Sequence, residues 1–87
     1  MTDIASELSV ACGKAFESLG LDFALGAVRR ADRPDLADFQ CNGAMAAAKL
    51  ARRNPREIAT ELVEKLQGHA DIADITVAGP GFLNIRV

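Results

Sequence analysis

The chain has 87 residues, 49% of them hydrophobic and 25% charged, with a formal net charge of −2 from ten basic and twelve acidic side chains. That length excludes a second core, although a domain of this size still buries roughly two-thirds of the surface its unfolded chain exposes. The charge balance excludes the overall basic character of a free-standing nucleic-acid binder. The absence of any apolar run near ~18 residues excludes a membrane span.

The first predicted element is an amphipathic helix over Asp3–Leu19. Ile4, Leu8, Ala11, Cys12, Ala15 and Leu19 recur at steps of three and four residues, and Glu7, Lys14 and Glu17 fall outside the stripe. Thr2 or Asp3 can cap its start, and Gly20 follows its end. Phe23 to Arg30 is predicted as a short strand, and Ala31 to Leu36, polar and containing Pro34, as a loop. Asp38-Phe39-Gln40 is a brief extended segment leading into an alanine-rich helix from about Asn42 to Arg53.

Asn54-Pro55-Arg56-Glu57 is a helix-start signal: Asn54 caps, Pro55 takes the first helical position, and Glu57 can close a capping box. Ile58, Leu62, Val63 and Leu66 form the buried stripe of that helix, which Gly68 ends. The period then changes. A strand from about Ala73 to Val77, the turn Ala78-Gly79-Pro80-Gly81 and a strand from Phe82 form a β-hairpin. The order of elements predicts an α+β domain: a small antiparallel β-sheet with three helices packed on one face and a C-terminal β-hairpin. The run of strand residues stops at Val87 without a charged tail, the expected pattern of a piece cut at a domain boundary.

Cys12, Cys41 and the lone His69 lack metal-ligand spacing, and two cysteines do not make a disulfide framework. Both are expected to be buried thiols. With no basic-then-apolar leader, a cytoplasmic protein is expected. The chain has no Gly-rich phosphate loop and no nucleophile placed with a histidine, so no catalytic, metal or cofactor residue is assigned. The basic side chains form two clusters, Arg29, Arg30 and Arg33, then Lys49, Arg52, Arg53 and Arg56.

Three segments, in this order, resemble the N-terminal additional domain of bacterial arginyl-tRNA synthetases. They are Asp38-Phe39-Gln40-Cys41-Asn42-Gly43-Ala44-Met45-Ala46, Asn54-Pro55-Arg56-Glu57-Ile58-Ala59 and Ala78-Gly79-Pro80-Gly81-Phe82-Leu83-Asn84-Ile85-Arg86. The resemblance covers nearly the whole of residues 1–87. One departure is Ala37, where many relatives carry glycine; a positive φ there would force the turn to relax. The resemblance implies an appendage of an ATP-dependent arginine–tRNA ligase of class I. Its expected partners are the dihydrouridine loop at the elbow of tRNA-Arg and the catalytic body of the same chain, with no DNA and no membrane. ATP and arginine would bind that body, which lies outside this sequence.

The family's contacts carry over to Phe82 and Asn84. Residues two apart on a strand share a face, so these two present an aromatic plane beside an amide while Leu83 and Ile85 turn to the core. Single-stranded loop bases are bound by stacking and by edge hydrogen bonds. Were Phe82 inside, Asn84 would be inside too, where an unpaired amide costs ~1–3 kcal/mol. Gly81, Gln40 and Asn42 are further candidates, with Asn42 equally able to cap the alanine helix and Asp38 able to satisfy a loop amide. Arg29, Arg30, Arg52, Arg53 and Arg56 are candidates for phosphate contacts. Two other functions remain open: a protein-interaction module offering its alanine helix to a partner helix, and an independent small RNA-binding domain.

Overall fold

A computed structural model describes residues 3–87. Among them the helices are α1 (Ile4–Ser18), α2 (Gly43–Ala51) and α3 (Pro55–Leu66), and the strands are β1 (Val28–Arg30), β2 (Phe39–Cys41), β3 (Asp74–Ala78) and β4 (Phe82–Arg86). The strands form one antiparallel sheet in the order β1-β2-β4-β3. The predicted α+β architecture and the hairpin are both present.

The alternation of burial along the two central strands explains why the layers form. Phe39 and Cys41 of β2, and Leu83 and Ile85 of β4, are buried, whereas Gln40, Phe82, Asn84 and Arg86 are only half-buried. The buried set meets Leu8, Cys12 and Phe16 of α1, Ala44, Ala47 and Ala48 of α2, and Ile58, Ala59 and Leu62 of α3 in one core. Each large side chain removed from water there contributes about 1.5–3 kcal/mol. Phe16, missing from the predicted stripe, is fully buried. Among the described residues, no helix packs on the other face of the sheet, which the loop joining β1 to β2 borders.

Three local expectations need correction. The predicted strand from Phe23 is a strand only over Val28–Arg30. Asp22 Oδ1 accepts from the Ala24 amide at 2.9 Å and starts a 3-10 turn over Phe23–Gly26. That turn packs backbone to backbone on α1: a Cβ on Gly26 would lie 2.2 Å from the Gly13 nitrogen. The edge strand that remains has its Val28 amide satisfied from outside the sheet, by Ser9 Oγ of α1 at 2.9 Å.

The second correction concerns caps. Asn54 caps α3 as expected, accepting from the Arg56 amide at 2.9 Å, but Glu57 bonds Arg53 and does not close a capping box. Asp3 takes the cap position of α1 without a side-chain bond, and Thr2 lies outside the described residues. Third, α2 stops at Ala51, short of Arg53, because Arg52 turns into the left-handed region with φ 55°. Ala37 stays out of that region and is buried, so the substitution of glycine there leaves no strained turn.

Candidate nucleic-acid interface

The uncovered face of the sheet takes its pattern from strand register. Arg29 stands opposite Gln40, Gln40 opposite Asn84, and Asn84 opposite Thr76, so one row of polar side chains crosses all four strands. Phe82, paired with Ala78, follows two residues along on the same face as Asn84. Gln40 Nε2 donates to Asn84 Oδ1 at 3.0 Å. Arg29, Gln40, Asn42, Phe82 and Asn84 surround a concavity of about 300 Å³, rimmed by Arg33, Leu36 and Ala37 from the β1–β2 loop.

The end of β4 holds that rim in place. Arg86 Nη2 donates to the Asp35 carbonyl at 2.8 Å, and the Val87 amide donates to Asp38 Oδ2 at 3.0 Å. Asp38 thus satisfies a backbone amide, as anticipated, but that of the last residue of the chain and not one within its own loop. Leu36, exposed at 55%, stands on the rim beside the polar row. Neither Leu36 nor Thr76 was singled out from the sequence. Leu36 had a signal, an apolar side chain in an otherwise polar loop. Thr76 became visible only with the strand order.

The hairpin turn is seated on the start of α3. Gly81 has φ 148° and is buried against Pro55, where an added Cβ would come within 2.9 Å of the proline Cβ. Arg56 Nη1 donates to the Gly79 carbonyl, bracing the same turn. These contacts aim Phe82 into the angle between the sheet and α2. A second depression opens there, about 620 Å³, lined by Asn42, Met45, Lys49, Arg53, Pro55 and Phe82 among others. Phe82 therefore has the polar row on one side and an apolar hollow on the other.

Asn42 occupies the N-cap position of α2 but its side chain makes no cap bond. Its Oδ1 is buried with no donor among the described residues. Both depressions are lined by this residue.

The arginines scatter. Arg29 joins the polar row, whereas Arg30 pairs with buried Phe39 and so points to the helix side of the same strand, where it is exposed. Arg33 is paired with Asp35 at 3.0 Å. Arg53 lies 3.0 Å from Glu57, to which it donates a hydrogen bond, and 2.9 Å from Glu61, and these two carboxylates, Glu57 first, raise its pKa. Glu61 Oε2 meets Arg53 as a charge contact out of line with an N–H. Arg52 is exposed at the end of α2. The structure thus gathers Arg29, Gln40, Asn42, Phe82 and Asn84 and leaves Arg30, Arg52, Arg53, Arg56 and Gly81 outside that ring.

The alanine face expected of a protein-interaction module is already occupied, since Ala44, Ala47 and Ala48 lie in the core. Among the described residues no group of three or more His, Cys, Asp or Glu could hold a metal ion. No helix among them is long and apolar enough to cross a membrane.

Comparison with known proteins gives one family. The profile described as "Arginyl tRNA synthetase N terminal domain" matches residues 2–87. An arginine–tRNA ligase of Hyphomonas neptunium is 60% identical over 87 residues, covering 100% of this chain and 15% of that protein. One from Maricaulis maris is 49% identical, covering 99% of this chain and 15% of that protein. Among solved structures, Thermus thermophilus arginyl-tRNA synthetase superposes with a TM-score of 0.82 at 28% identity, over 98% of this chain and 14% of that one. The chain spans about 15% of the length of the relatives it matches.

Proposed function

The chain belongs to the arginyl-tRNA synthetase N-terminal domain family, and from that membership we propose that it is a tRNA-binding appendage of a cytoplasmic arginine–tRNA ligase. In this reading the uncovered face of the sheet grips the dihydrouridine loop at the elbow of tRNA-Arg. Activation of arginine with ATP, and its transfer to tRNA, belong to the catalytic body of the longer chain. This domain contributes binding and no chemistry.

The observation that carries the reading is the juxtaposition of an aromatic and an amide row on the one sheet face left without helices. Phe82 offers a plane for a splayed base, worth ~1–3 kcal/mol for an aromatic base. Dihydrouracil is not planar, so van der Waals fit in the hollow beside Phe82 replaces part of that term. Asn84 supplies edge hydrogen bonds, and Asn42 Oδ1 is a buried acceptor able to take a donor such as a base amino group or a ribose 2′-hydroxyl. Arg29 adds a positive charge beside this ring for the phosphate backbone.

The test is kinetic. In the complete ligase, Phe82→Ala and Asn84→Ala are each expected to raise the tRNA KM by about ten-fold, the equivalent of ~1.4 kcal/mol. ATP and arginine dependence at saturating tRNA should change little. Unchanged tRNA kinetics in both variants would remove these residues from the recognition surface.

A further inference from the structure

Gln40 and Asn84 face each other directly across β2 and β4, and the bond between them is directional: Gln40 Nε2 donates and Asn84 Oδ1 accepts, at 3.0 Å. A carboxamide carries its acceptor oxygen and its donor nitrogen on fixed sides of one planar group. Engaging the oxygen therefore settles what the rest of the group can offer. The Asn84 amide nitrogen has no acceptor among the described residues, and it is not buried without a partner. Arg29, on the far side of Gln40 in the same row, has a guanidinium that only donates.

We propose that Gln40 is a positioning residue for recognition: by holding Asn84 Oδ1, it turns the Asn84 nitrogen outward and makes this site a reader of hydrogen-bond acceptors. The matching ligand chemistry is a base carbonyl oxygen or an unprotonated ring nitrogen. The inference rests on the reading of this sheet face as an RNA site. It gives Gln40 a role exercised through Asn84, where contact with RNA would be a role of its own. Without Gln40, the Asn84 amide rotates between two faces of opposite polarity, and each productive encounter must first select the correct one.

A double-mutant cycle in the complete ligase tests it. Gln40→Met keeps the length of the side chain and removes the donor. Crossed with Asn84→Ala, it is read as tRNA KM and kcat at saturating ATP and arginine, with a thermal melt of each variant to confirm folding. Gln40→Met alone is expected to raise the tRNA KM about three- to ten-fold, the scale of one net hydrogen bond, with kcat held. On the Asn84→Ala background it should add less than about two-fold. Multiplying effects would overturn the proposal, because Gln40 would then act independently of Asn84.

A second variant covers the case in which methionine disturbs the sheet. Gln40→Glu keeps the shape but can only accept, so Asn84 must turn its nitrogen inward and present oxygen. The KM should rise more when Asn84 is intact than when it is alanine. Equal rises in both backgrounds would again overturn the proposal. If Asn84→Ala raises the KM while neither Gln40 variant does, the positioning role fails and the RNA reading stands. If Phe82→Ala and Asn84→Ala both leave the KM unchanged, the RNA reading itself fails and takes this inference with it.

Discussion

Cys12 and Cys41 illustrate how completely single side chains are committed to packing in this domain. Both are fully buried, one from α1 and one from β2, and both are free thiols. The neighbouring Cys41, together with burial, holds the Cys12 thiol well above its ordinary range. Because both sulfurs are fully buried and out of reach of the reagent, iodoacetamide is expected to label neither cysteine in the native chain and both after unfolding. Rapid labelling of either in the folded protein would contradict the packing described. On the opposite face the same chemistry of single residues is turned outward. Phe16 and Phe39 serve the core, whereas Phe82 is held half-open between two depressions. The alternation along β4 separates the two uses, and it was readable from Phe82-Leu83-Asn84-Ile85 alone.

At the scale of elements, two backbone positions decide how the pieces meet. Arg52 ends α2 in the left-handed region, which costs a non-glycine residue about 1–2 kcal/mol. Arg52→Gly should therefore stabilise the chain by about 0.5–1 kcal/mol after the added freedom of the unfolded glycine is subtracted. The thermal midpoint would rise by a few degrees; a fall would show that the arginine side chain makes a contact of greater value. Gly81→Ala acts in the other direction, because its φ of 148° and the 2.9 Å approach to Pro55 leave no place for a Cβ. A loss of about 2–4 kcal/mol is expected. Denaturant melts of the two variants check both signs.

These elements also show which parts of the fold were legible in advance. The helix stripes, the Asn54 cap and the hairpin followed from local periodicity and turn chemistry, and their bounds agree within one or two residues. What was hidden is non-local. The 3-10 turn at Phe23–Gly26 exists because Gly13 and Gly26 let two backbones touch, a fact with no trace in a window around Phe23. Glu57 fits a capping box by spacing but prefers the arginine beside it, and spacing alone does not rank the two. Phe82 and Asn84 shared a face by strand alternation. Their union with Arg29, Gln40 and Thr76 into one row required the order β1-β2-β4-β3, in which β2 pairs with a strand more than forty residues away along the sequence. The two arginine clusters looked alike as sequence. Strand alternation placed Arg29 and Arg30 on opposite faces, and carboxylates took up Arg33 and Arg53.

For the whole molecule, the arrangement is a two-layer body with its helices on one side and its candidate recognition surface on the other. A net charge of −2 gives such a body little long-range attraction for RNA. Its contacts must then act at short range and depend on a partner brought close by other means. The proposed function leaves that docking to a longer protein, which fits a chain spanning about 15% of the length of its relatives. The proposed grip of the uncovered sheet face around Phe82 and Asn84 on the dihydrouridine loop can be read by ribose footprinting of tRNA-Arg with the complete ligase. Protection of the dihydrouridine loop is expected with the unaltered enzyme, and loss of that protection, with the rest of the footprint retained, when Phe82→Ala and Asn84→Ala are combined. An exposed loop in the unaltered complex, or identical protection by the double variant, would contradict it.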